Sequence, residues 1–188
     1  MERDELVRRI HDSPTAAVLA ITGGGVAAAS DLLGMPGASR TVLELIVPYS
    51  QASLDDWVGA PVTGATSVDT AQRMAAASLA RAHALVSATG EAPPIVGLGV
   101  TAALATDRPK RGDHRAHLAL RGPGGLGRTW SITLAKGERT RTEEDRLVAD
   151  LTLRLLGEGC GIASTFDPTG APADVALLAA DVFRPEPA

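Results

Sequence analysis

Two segments of this 188-residue chain carry residue types suited to holding an anion. The first is Thr22-Gly23-Gly24-Gly25, which closes a continuous apolar run from Ala16 to Ile21. Glycines let the backbone approach a ligand and turn N–H groups toward it. A helix starting after them adds the positive end of its dipole, which suits an anion or a developing oxyanion. The pattern is neither G-x-G-x-x-G nor a Walker loop, so it specifies no nucleotide. The competing reading is a tight strand-to-helix turn without a ligand.

The second segment is Asp107-Arg108-Pro109-Lys110-Arg111-Gly112-Asp113-His114-Arg115, a basic stretch in an acidic protein. Arg108 and Arg111 can fork a phosphate or carboxylate, and Lys110 supplies a compact charge. Pro109 stiffens the loop and Gly112 allows a close approach. The alternative is a solvated loop whose cations pair with Asp107 and Asp113. Tyr49, the single tyrosine, stands beside Ser50 after an apolar run. Its hydroxyl either faces the glycine turn or lies in water at the rim. His114 and His117 are three apart on a predicted strand, so they point to opposite faces and do not share a metal. His11 and His83 fall on helices, as surface or satisfied core residues. No metal or cofactor is expected.

The elements that position these residues follow from periodicity. Leu6, Val7 and Ile10 predict a short opening helix, stopped at Ser13-Pro14. The unalternating run 16–21 predicts a strand buried on both faces, and 26–33 is compatible with a helix. A second strand is predicted over 41–47 and a third over 95–100. Ser50 can cap a short helix to Trp57, and Ser67 a longer one striped with Ala71, Ala75, Leu79 and Ala82. Alternation over 114–120 and 130–134 predicts a hairpin, with Arg115 and His117 on the face away from Ala116 and Leu118. A last helix spans 139–156, with a capping box at Thr140 and Glu143. Asp174 to Val182 is read as a short helix and 185–188 as a frayed end. The expected fold is a single three-layer α/β/α domain with a mixed sheet over 1–160. Residues 161–188 are an extension packing on, or trailing from, the same domain.

Composition narrows the function classes. Hydrophobic residues make up 45% and charged residues 21%, with a net charge of −4. A general nucleic-acid surface needs a basic excess, and disorder needs fewer apolar residues. Aromatics at 3% argue against base-stacking platforms. The lone cysteine, Cys160, excludes an intramolecular disulfide and reads as a small hydrophobe at a helix end. The opening MERDELVRRIHDSP carries charges where a secretory signal needs an apolar core, and no run reaches a membrane span. A cytoplasmic location is expected, with neither nucleic acid nor membrane as partner.

Taken in order, the glycine turn, Pro36-Gly37-Ala38-Ser39, Val47-Pro48-Tyr49-Ser50 and the Ser67-started helix with Met74-Ala75 resemble the CinA C-terminal domain. The resemblance spans roughly residues 5–157. That family includes nicotinamide-nucleotide amidases, which hydrolyse the carboxamide of nicotinamide mononucleotide. A nearer likeness is a branch with TGGG, PGAS, PYS and RPKRG-[DE]-HR segments, fused in plants to a nucleotidyltransferase-like domain.

The sequence departs from the amidases where their chemistry sits. Aligned without a gap from Gly37-Ala38-Ser39, Thr22 falls at their nucleophilic serine; aligned on the glycines, Ile21 does. Leu54 stands where they carry a lysine five residues after the tyrosine. Their Thr-Gly-Ile-Ala-Gly-Pro turn becomes Thr101-Ala102-Ala103-Leu104-Ala105-Thr106.

What the resemblance implies is therefore double. As an amidase, Thr22 attacks the carboxamide, the N–H groups of Gly23, Gly24 and Gly25 hold the oxyanion, and Tyr49 or Lys110 accepts the proton. Ser50, Arg108, Arg111 and Gly112 complete the ligand site. As a non-catalytic binder, the same pocket holds a phosphorylated metabolite such as a pyridine nucleotide. A third reading is an oligomeric interaction module; a homo-oligomer is expected, with a dimer favoured.

Overall fold

The computed structural model describes residues 1–90, 93–108, 111–125 and 127–162, and the backbone of 175–181. Helix α1 (Arg3–Asp12) leads into strand β1 (Ala16–Thr22), helix α2 (Ala27–Leu33) and the single turn α3 (Ala38–Thr41). Strand β2 (Val42–Ile46), helices α4 (Gln51–Val58) and α5 (Val68–Thr89) and strand β3 (Ile95–Ala103) follow. The hairpin β4 (His114–Arg121) and β5 (Gly127–Leu134), helix α6 (Arg141–Gly159) and strand β6 (Val175–Asp181) complete the order.

The strands form one six-stranded sheet, ordered β2-β1-β3-β4-β5-β6. β2, β1 and β3 are parallel; β4, β5 and β6 are antiparallel to their neighbours. Every residue of β1 is buried, as expected for a strand covered on both faces. Ala17, Leu19 and Ile21 join the larger core under α1, α2 and α6. Ala16, Val18 and Ala20 face the smaller clusters under α4 and α5. The molecule is thus a three-layer α/β/α sandwich with a mixed sheet.

Gly97 and Gly99 of β3 decide how close α5 can lie. A Cβ at either position would overlap the α5 backbone at Ala71, Ala75 or Leu79. The predicted caps form: Ser50 accepts from the Ser53 N–H, Ser67 from Thr70, and Thr140 with Glu143 closes a capping box. Cys160 caps α6 and packs on the core, and burial pushes its thiol pKa up.

One expectation fails. Of the segment read as a helix over 174–182, the described residues are strand β6, paired antiparallel with β5 from Val175 opposite Leu134 to Asp181 opposite Thr129. Its alanines and leucines favour a helix locally. The open edge of β5 offers a row of backbone partners, and pairing there outweighs a weak propensity. Among the described residues no helix is long and apolar enough to cross a membrane.

Candidate active site at the strand ends

The parallel order β2-β1-β3 reverses direction at β1, since the chain leaves β1 toward β2 and returns on its other side as β3. Open α/β sheets bind ligands in the crevice at such a point, beyond the carboxyl ends of the strands. Thr22, the last residue of β1, pairs there with Thr101 of β3. They are 6% and 1% exposed. Thr101 Oγ1 donates to the Ala65 carbonyl at 2.6 Å, drawing the 60–67 loop over this end of the sheet.

The pairing continues across the sheet. Thr101 lies opposite His117 of β4, and His117 opposite Ser131 of β5. Directly paired residues share a face, so Thr22, Thr101, His117 and Ser131 form one polar row on the α5 side. His117 Nδ1 is 2.8 Å from Ser131 Oγ. Burial, and secondarily the charge of Arg115, lower the His117 pKa. His114 points to the opposite face, so the two histidines are separated as their spacing requires. Among the described residues no three His, Cys, Asp or Glu side chains gather into a metal-binding group.

The glycine turn is packed against the chain itself. Gly23 and Gly25 have positive φ values of 75° and 87°. A Cβ at Gly23 would overlap the Ala102 carbonyl, and one at Gly24 the Leu104 side chain. Asp145 takes the amides that follow, accepting from Gly25 N at 2.8 Å, Val26 N at 3.3 Å and Ala27 N at 3.2 Å. The Gly25 N–H expected to face a ligand is therefore satisfied by a carboxylate of α6.

The first turn of α6 holds both loops of the site. Arg141 donates to the Gly23 carbonyl at 2.8 Å and to the Ala105 carbonyl at 3.5 Å. Glu144, fully buried at 0% exposure, accepts from Ala105 N at 2.6 Å and lies 2.7 Å from His114 Nδ1. One carboxylate thus closes the two ends of the basic loop.

The other expected residues sit as follows. Arg108 and Arg111 are exposed, and among the described residues their side chains form no ion pair with Asp107 or Asp113. Lys136 Nζ, from the loop after β5, donates to the Arg111 carbonyl at 3.0 Å and adds a cation that the sequence reading did not include. A Cβ at Gly112 would meet only open space. Tyr49 is 69% exposed after β2, on the same end of the sheet, and Ser50 is engaged as the α4 cap. Lys110 and Pro109 lie outside the described residues. Leu54 is buried among Ala20, Val62 and Met74, so no base stands at that position.

Thr101, His117, Ser131, Arg141, Glu144 and Asp145 are additions to the expected set. The alternation of β4 already put His117 on the face away from Ala116 and Leu118, but only the register shows that this is the α5 side and what lies beside it.

No protein-family model matches the chain, and no curated protein matches its sequence. Solved structures do match its fold. Competence/damage inducible protein CihA from Agrobacterium tumefaciens superposes with a TM-score of 0.62 at 21% identity, over 84% of this chain and 94% of that one. A competence-damaged protein (CinA) superfamily protein from Klebsiella pneumoniae gives 0.63 at 12% identity, over 86% and 99%. A competence or damage-inducible protein from Enterobacter asburiae gives 0.64 at 12% identity, over 85% and 99%. The chain has the fold of these CinA superfamily structures across most of its length, in line with the resemblance carried by its motifs.

Proposed function

We propose that this CinA-fold chain is an amidase-like hydrolase that acts on the carboxamide of a phosphorylated pyridine nucleotide. The observation that supports it most directly is the Thr22–Thr101 pair at the point where the parallel strands reverse order, with the basic loop beginning at the same strand end. In this reading the Thr22 hydroxyl attacks the carboxamide carbon. The N–H groups of Gly23 and Gly24 stabilise the oxyanion. The C–N bond breaks, and ammonia departs with the hydroxyl proton, passed through Tyr49 or the basic loop. Arg108 and Arg111, exposed and free of partner carboxylates among the described residues, hold the phosphate. The test is ammonia release from nicotinamide mononucleotide by purified protein. Release well above that of Thr22→Ala protein supports the reading; equal release overturns it.

The second reading, a binder that does not hydrolyse, is favoured by one observation. Leu54 is core, so the lysine that would activate the hydroxyl has no counterpart there. Calorimetric titration with the same nucleotide separates the two. Heat that disappears in the Arg108→Ala, Arg111→Ala double variant, without ammonia release by the parent, supports the binder. Binding unchanged in the double variant removes both arginines from the site.

A further inference from the structure

We infer that His117 is the base that activates water at this site, oriented by Ser131. The inference rests on the reading that Thr22 forms an acyl ester, and it names the group that resolves that ester.

Three observations converge on it. His117 belongs to the row Thr22–Thr101–His117–Ser131, two strands from Thr22 on the same face. Neighbouring strands are about 4.8 Å apart, so the two backbones stand roughly 10 Å apart, with Thr101 between them and its hydroxyl turned to the Ala65 carbonyl. The ring is held at one nitrogen only. Nδ1 meets Ser131 Oγ at 2.8 Å, whereas Nε2 makes no hydrogen bond among the described residues. A base needs this arrangement: one nitrogen fixed and the other presenting its lone pair.

The surroundings keep the imidazole neutral. Burial dominates and Arg115, two residues away on β4, adds to it. Of the other packed elements, β3 presents Thr101 opposite the ring and β5 presents Ser131, both uncharged. α5 reaches β5 through Gln72 on Thr129, and its first-turn Asp69 is paired with Arg73 at 3.8 Å. Among the described residues no carboxylate pairs with the ring. A neutral imidazole whose Nδ1–H donates to Ser131 carries the lone pair on Nε2.

The step balances without a further reactant. Water gives one proton to Nε2 while its oxygen bonds to the ester carbon. The tetrahedral intermediate collapses, the C–Oγ bond of Thr22 breaks, and the departing oxygen takes the proton back from the imidazolium. The acid product and free Thr22 result.

His117→Gln and Ser131→Ala are compared with the parent protein on nicotinamide mononucleotide, following ammonia release in time and intact protein mass. His117→Gln should release up to one equivalent of ammonia quickly, retain a covalent adduct on Thr22, and then turn over about 100-fold or more slowly. Ser131→Ala should lower steady-state turnover with the burst preserved, and should move the acidic limb of the pH–rate profile. This second variant decides the matter if His117→Gln does not fold. A fast His117→Gln enzyme without adduct overturns the role of His117 and leaves the amidase reading standing. A slow variant with neither burst nor adduct also overturns it, because the lost step would precede the ester. No ammonia above the Thr22→Ala level from the parent overturns the amidase reading and this inference with it.

Discussion

Glu144 and His114 meet inside the protein: Glu144 Oε1 lies 2.7 Å from His114 Nδ1, and the other carboxylate oxygen accepts the Ala105 N–H at 2.6 Å. Ala105 opens the basic loop and His114 ends it, so a single side chain of α6 fixes the span of the segment that carries Arg108 and Arg111. Arg141 and Asp145, in the same turn of α6, tie down the glycine turn. The two anion-handling segments are far apart in the chain, and this helical turn holds both.

Replacing Glu144 by Ala leaves the Ala105 amide and the imidazole without their partner in a dry site. Breaking a buried pair in this way costs about 3–5 kcal/mol, which for a domain of this size is roughly 6–20 °C in Tm. Glu144→Gln retains an acceptor for Ala105 and an amide group facing the imidazole, so it should lose much less. Calorimetric melting of the two variants checks the order. Equal losses would show that the side chain fills space and does not clamp the loop.

Leu54 tests whether the amidase lysine can be restored. Its side chain packs among Ala20, Val62 and Met74. Leu54→Ala should cost about 2–5 kcal/mol through the lost contacts and the cavity. Leu54→Lys should be at least as destabilising, because an ammonium there must be desolvated or lose its proton. It should not raise ammonia release. A lysine variant that melts like the parent and hydrolyses faster would show that position 54 opens onto the ligand.

The parts of the fold that local chemistry dictates are legible in the sequence. Apolar runs such as 16–21 mark buried strands, and Ser50, Ser67 and Thr140 mark helix starts because a cap acts within three residues. The site is less legible because its members are joined by register. Nothing in the local pattern says that Thr101 stands opposite both Thr22 and His117; strand pairing decides that. The helix reading of 174–182 fails for the same reason, since the partner of that segment is the edge of β5, far away in sequence. In the sequence the glycine turn reads as a place where a ligand can come close to the backbone. What approaches it is Ala102, Leu104 and Asp145, and no local rule names them.

Gly23 is the position where this close approach is least negotiable. Its φ of 75° disfavours any side chain, and a Cβ would overlap the Ala102 carbonyl of the neighbouring strand. Gly23→Ala combines left-handed backbone strain with overpacking, about 2 kcal/mol or more together. Gly112→Ala meets open space and should fall within about 0.5 kcal/mol of the parent. Denaturant melts of both variants give the comparison. A Gly23→Ala protein as stable as Gly112→Ala would mean that the turn shifts at no cost.

His117 gives a pH dependence with a definite sign. An ordinary imidazole titrates near 6.5, and burial, with help from Arg115, lowers this one in the folded protein. Between the lowered value and 6.5 the unfolded chain carries the His117 proton and the folded chain does not. The unfolded state then binds more protons, so stability rises with pH and is lost as pH falls through that window. His117→Gln removes this proton difference. The drop in Tm between about pH 7 and pH 5 should therefore be smaller in the variant than in the parent. Protons taken up by other groups contribute equally to both proteins and cancel in the comparison. An identical drop in the two would mean that His117 binds its proton as readily folded as unfolded, and the neutral imidazole required of a base would be lost.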